Sequence, residues 1–208
     1  MWRLVRALLA LIILLVGGLI IFKSFDYYQP DFRRGYLIGR GDYFHGIFKY
    51  GLYAHIVATP LVILIGTFQI FLRYEYRFPR MHKWLGRVYG ILIIGFAAPG
   101  GIIIGAYSLG SPWIQLNFFV LGPLWIVYML AAWYFARQGQ MIRHQRFIIR
   151  GYILTASAVA LRILSFVFIQ YLDWQGADMY AWAVWLSWAP FLAIYEIILL
   201  LKPTPQKA

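Results

Sequence analysis

The chain has 208 residues, of which 62% are hydrophobic, 20% aromatic and only 12% charged. Soluble domains carry roughly 25% charged residues, so this composition excludes an ordinary soluble globule and points to a polytopic membrane protein. There is no cysteine, which excludes disulfides, thiolate metal sites and a nucleophilic thiol, and the net charge of +12 reads as membrane topology, not nucleic-acid binding.

Six apolar runs are long enough to cross a hydrocarbon core: 7–23, 52–72, 84–107, 114–136, 147–171 and 181–201. The expected fold is therefore all-α, a polytopic bundle of six transmembrane helices in a single transmembrane domain, 1–208. The first run follows Met1-Trp2-Arg3-Leu4-Val5-Arg6 and precedes Lys23-Ser24-Phe25-Asp26, with no small-residue cleavage site, so 1–23 reads as an uncleaved first helix. The connection 24–51 is the only long one. Pro30, Gly35, Gly39, Gly41 and Gly46 predict irregular structure there, and its aromatics place it on the membrane surface or over the bundle. Residues 52–202 then form a five-helix, polar-cored bundle.

Charge sets the direction. The N-terminus, the 73–83 and 137–146 loops and the C-terminus carry Arg3, Arg6, Arg73, Arg77, Arg80, Lys83, Arg137, Arg143, Arg146, Lys202 and Lys207 against Glu75 alone. The opposite connections carry five basic and five acidic residues. The positive-inside rule makes the first side cytoplasmic, with both termini inside, and the expected location is the bacterial cell inner membrane. Aromatics such as Tyr50, Trp84, Trp113, Tyr134 and Trp174 crowd the boundaries as an interfacial belt.

The helical period gathers the scattered polar residues into stripes. His55, Thr59, Gly66, Gln69 and Arg73 share one face of the second span. His82, Gly86, Tyr89, Gly100 and Tyr107 share one of the third, and His144, Gly151, Thr155 and Arg162 one of the fifth. Such stripes turn away from lipid, so spans two, three and five are expected to face one another. Pro99-Gly100-Gly101 is expected to kink the third span, and Pro60 and Pro190 to bend the second and sixth. Arg162 sits about nine residues, roughly 13 Å, from the near end of its helix, too deep to snorkel comfortably. Its candidate partners are His55, Tyr107, Asn117, carbonyls freed near a kink, or an anionic ligand. Glu196 is the one carboxylate well inside a span; Arg87 and Arg150 lie at similar depth. An ion pair with one of them is the structural reading, and a proton relay with His82 or His144 the functional one.

His82-Lys83-Trp84-Leu85-Gly86-Arg87-Val88-Tyr89 resembles a His-Arg-x-x-Gly-Arg-x-Tyr signature. His144 to Arg162 resembles its companion, His-Arg-x-Trp-Met-x-Arg-Ser-Tyr-x-x-Thr followed by a late arginine. Both signatures are those of a family of bacterial integral membrane proteins termed domain of unknown function 2306. The resemblance covers about 45–170 and includes a matching His55; Lys83, Gln145, Phe147, Ile148 and Gly151 depart from the pattern. It implies a multi-span inner-membrane protein and no settled activity. A looser, architectural similarity to cytochrome b561-type haem proteins is analogy alone.

Three functional readings follow. The leading one is an accessory or assembly subunit of a larger membrane complex, respiratory or otherwise, or a homo-oligomer, with Trp182, Trp185 and Trp188 as a lipid-exposed partner surface. The second is a single-haem b electron-transfer protein, exchanging electrons with a quinone. His82 and His144 would be its axial metal ligands, and Lys83, Arg87, Arg146 or Arg150 would neutralise propionates. The third is binding or transport of an anionic or lipid-like ligand through the polar interior of His55 and Arg162, with basic loops on phospholipid headgroups. No Gly-x-Ser-x-Gly elbow, His-Glu-x-x-His or P-loop pattern is present, so no catalytic residue is assigned.

Overall fold

The computed structural model describes residues 2–33, 35–71 and 78–201, the side chains of 2, 3 and 6 apart. It is all-helical among those residues, with six helices long and apolar enough to cross a membrane. The first span is α1 (Trp2–Ser24), prolonged by a 3₁₀ turn at Phe25–Tyr28. The second is α2 (Gly46–Phe71), the fourth α5 (Pro112–Arg137) and the fifth α6 (Met141–Tyr171). The third joins α3 (Pro79–Leu92) to α4 (Ala98–Ala106) through a π-turn at Ile93–Ala97. The sixth is α7 (Ala177–Leu186) followed by α8 (Ala189–Leu201). Arg73, Arg77 and Glu75, and the tail that carries Lys202 and Lys207, lie outside the described residues.

The helices begin earlier than their apolar runs. α2 starts six residues ahead of expectation, where Gly46 adopts a left-handed φ of 49° and turns the chain into the helix. α3 starts at Pro79, whose fixed φ and missing N–H suit a first helical turn. α6 starts at Met141. His82 and His144 therefore sit within first helical turns, because a polar first turn at the interface extends a helix beyond its apolar run. The expected kink at Pro99 takes the form of the π-turn, in which Ala98 N–H donates to the Ile93 carbonyl. The sixth span breaks at Ser187–Trp188, just ahead of Pro190, whose ring disfavours a helical conformation before it.

One core runs through spans two to six, built on Val62, Ile93, Ala97, Trp125, Met129, Leu154 and Trp188. α1 packs along α2 and touches α6 through Ile20, Ile63 and Val159. Small residues set the close crossings. A methyl on Gly100 would lie 2.6 Å from the Gly51 carbonyl, so the Pro99-Gly100-Gly101 stretch brings the third span's backbone onto the second at His55.

The segment between α1 and α2 folds over one end of the bundle. Leu37 is buried, the Tyr36 hydroxyl donates to the Ile104 carbonyl at 3.0 Å and Tyr53 donates to the Tyr27 carbonyl. Arg40, 7% exposed, lies over the Tyr36 ring and donates to the Tyr36, Ile38 and Tyr107 carbonyls. Burial pushes the Tyr36 phenol from 10.0 up to about 12, against a smaller lowering by Arg40. The folded cap holds that proton more tightly than the unfolded chain does. Its stability is therefore full below pH 10 and falls as pH rises from 10 towards 12. Alkaline thermal melts should show this loss, and Tyr36→Phe should flatten it while removing the Ile104 bond, worth about 1 kcal/mol.

Candidate functional site

Two cavities lie along the polar stripes, one towards each end of the bundle. The larger, about 650 Å³, lies between spans two, three, four and five. His82, Lys83, Gly86, Arg87 and Tyr89 line it from α3, Gly66 and Gln69 from α2, Trp133 and Arg137 from α5, and His144 from α6. Ile70, Ile91 and Ile148 make part of its wall apolar. His144 Nδ1 lies 2.9 Å from the Ala132 carbonyl. A carbonyl only accepts, so Nδ1 is the donor of this bond and Nε2 is left free of it. The Trp133 indole donates to the Gly86 carbonyl at 3.4 Å, and Arg87 lies over the Trp84 ring.

The smaller cavity, about 230 Å³, lies at the end capped by the 25–45 segment. His55, Thr59, Trp125, Asn117, Thr155, Arg162, Tyr27, Tyr36 and Tyr180 line it. His55 Nδ1 donates to the Ala97 carbonyl at 2.7 Å, which fixes the ring against the third span. Arg162 donates through Nη1 to Ala158, one turn back on its own helix, at 2.7 Å. Of the expected partners, His55 and Asn117 share this cavity with it but no bond to either forms. Asn117 Oδ1 accepts from the Trp188 indole at 2.7 Å. Thr59 Oγ1 and Trp125 Nε1 are buried without a hydrogen-bond partner in the structure.

A hydroxyl layer separates the two cavities. Thr155 donates to the Gly151 carbonyl, so its oxygen is left to accept from the Tyr89 hydroxyl at 2.7 Å. By the same count Thr67 donates to Ile63 and accepts from Tyr152 at 2.8 Å. Both tyrosine rings pack on Gly66, where a methyl would lie 2.9 Å from Tyr89 and 3.1 Å from Tyr152. Spans two, three and five thus meet at this point. Tyr89 lines the larger cavity and Thr155 the smaller, so one hydrogen bond joins their walls.

The expected site residues are divided, not gathered. His82, Arg87 and His144 share the larger cavity; His55 and Arg162 share the smaller. Arg150 and Glu196 line neither. They form a bidentate pair, Nε to Oε1 at 2.6 Å and Nη2 to Oε2 at 2.7 Å, flanked by Phe147 and Tyr195. The single face expected for 82–107 assumed a straight helix, and the π-turn resets the register before Gly100. The tryptophans expected on a lipid-exposed surface also separate. Trp182 is exposed, Trp185 donates to the Trp113 carbonyl, and Trp188 is buried in the core. Its indole finds a polar partner inside, which makes burial favourable. Among the described residues no group of three or more His, Asp or Glu could hold a metal ion. Sequence reasoning missed Arg40, whose loop position gave no sign of burial, and Trp125, whose neighbours are all apolar.

Neither a curated protein nor a solved structure matches the chain. The family described as predicted membrane protein (DUF2306) matches residues 52–199, which takes in the larger cavity, the hydroxyl layer, the Arg150–Glu196 pair and the smaller cavity's lining apart from Ile20, Ser24, Tyr27 and Tyr36. On that match and on its six candidate spans, the chain belongs to the DUF2306 family of multi-pass integral membrane proteins.

Proposed function

We propose that this is a membrane-embedded binding protein whose larger cavity takes an amphipathic anion, in a bacterial inner membrane with both termini cytoplasmic. The observation that carries the reading is the wall of that cavity. Lys83, Arg87 and Arg137 share about 650 Å³ with two histidines, a tryptophan and apolar side chains. Among the described residues no carboxylate pairs with these exposed cations at the helix ends, and an anionic head would complement their charge while a tail or ring fills the apolar part. A ligand that binds only the folded state stabilises it by mass action. Thermal melts in mixed micelles test this. Phosphatidylglycerol should raise the melting temperature more than phosphatidylcholine does, and Arg87→Ala with Arg137→Ala should remove most of the difference. Equal stabilisation by the two lipids would contradict the reading.

Haem b is a second reading, favoured by the fixed His144 ring. Its Nδ1–H is committed to Ala132, an arrangement common for a metal-ligating imidazole, and His82 lines the same cavity. His82 and His144 would hold the iron, and Lys83, Arg87 and Arg137 would hold the propionates. Haem would supply one-electron transfer there. A visible spectrum with sharp bands on reduction, lost in His144→Ala, selects this reading; a featureless spectrum from haem-replete cells removes it. The reading as an accessory subunit of a larger complex rests on helix packing, and of its three tryptophans Trp182 alone faces outward.

A further inference from the structure

The smaller cavity carries a separate inference, independent of what occupies the larger one. It runs from Arg162, which is exposed, to Thr59 and Trp125, which are 6% and 4% exposed. Both of those deep residues end in a polar atom without a hydrogen-bond partner. An indole N–H can only donate, so Trp125 calls for an acceptor that the protein does not supply. Such orphans are costly in an apolar interior and require an occupant or a role. Arg162 adds charge. Among the described residues no carboxylate pairs with it; its ionisable neighbours are Tyr27, Tyr180 and His55, and one N–H is spent on Ala158. The carboxylate deep in a span, Glu196, is committed to Arg150.

We propose that the Arg162 cavity is a binding site for a small organic monocarboxylate. A carboxylate offers only acceptors, matching a wall whose free groups are mostly donors, and it pairs with a guanidinium through two parallel hydrogen bonds. Asn117 contributes to the same match, since its oxygen is taken by Trp188 and its amide N–H groups remain. Size narrows the class. The cavity holds about 230 Å³, below the roughly 300–1,000 Å³ of drug-sized sites, while a cavity of roughly 150 Å³ accepts benzene. The ligand is therefore of about benzoate size or smaller. Its carboxylate lies at Arg162, and the rest of it against Leu121, Leu154 and Leu161.

Thermal melts of the detergent-purified chain test this with benzoate and butyrate, their neutral amides, and oleate. Benzoate or butyrate should raise the melting temperature in a saturable way and the amides should not. Arg162→Gln should weaken the apparent affinity at least tenfold, with Arg162→Lys retaining part of it. Thr59→Val should weaken it severalfold yet raise the melting temperature of the ligand-free protein, because an unpaired hydroxyl is removed; this variant keeps the test sound should the arginine variants fold poorly. No shift with either small acid, as for a cavity holding water alone, overturns the proposal. So does an equal shift in Arg162→Gln, and a shift with oleate alone, which would assign the carboxylate to lipid.

Discussion

Replacing Glu196 by alanine should lower the stability of the bundle by about 2–3 kcal/mol. The carboxylate takes both parallel bonds of Arg150, at 2.6 and 2.7 Å, and the arginine side chain is 15% exposed against 40% for Glu196. Removing the acid leaves a guanidinium roughly nine residues into α6, about 13 Å along the helix, where neighbouring helices and lipid replace water. The half-exposed glutamate keeps the effect below that of a fully buried pair. Arg150→Met combined with Glu196→Leu should recover most of the loss, because two matched apolar side chains need no partner. Denaturant titration in detergent measures all three proteins. A Glu196→Ala protein as stable as the parent would show that the pair contributes little and that Arg150 finds other partners.

Gly90→Ala should cost about 2–3 kcal/mol, near the upper range for overpacking. A methyl at Gly90 would lie 2.2 Å from Trp133 Cζ2 and 2.6 Å from Cε2, so the indole or the helices must move. The Trp133 ring has little freedom, since its N–H is bonded to Gly86 on the same helix as Gly90. Trp133→Leu in the same chain should restore much of the stability by making room. Because Trp133 lines the larger cavity, the double variant should also widen the site and weaken its selectivity for phosphatidylglycerol. Melting temperatures of the two single variants and the double variant test the coupling. Additive losses would mean that the two residues do not share a contact.

The six spans were legible in the sequence because membrane helices announce themselves by length and apolarity. The stripes were legible too, as far as a straight helix allows: His82, Gly86 and Tyr89 do share one wall, as do His55 and Thr59. What the sequence could not show follows from tertiary contact. A π-turn has no sequence signature strong enough to place it at Ile93–Ala97, and it decides how Gly100 meets His55. Glu196 had Arg87 and Arg150 as equal candidates at similar depth. Helix rotation gives it Arg150 and leaves Arg87 on the cavity wall. Trp125 looked like one more apolar aromatic in span four. Only the packing of Thr59 and Arg162 around the same space makes its indole N–H a donor in a cavity. Trp188 looked lipid-facing by period, but the break at Ser187 turns it inward onto Asn117.

Native mass spectrometry of the purified chain tests the binding reading most directly. The account predicts a retained amphipathic anion, haem or an anionic lipid, on the parent protein. It predicts that this mass is lost from a folded variant carrying Lys83→Ala, Arg87→Ala and Arg137→Ala. A bare chain, or the same retained lipids on parent and variant alike, would contradict it.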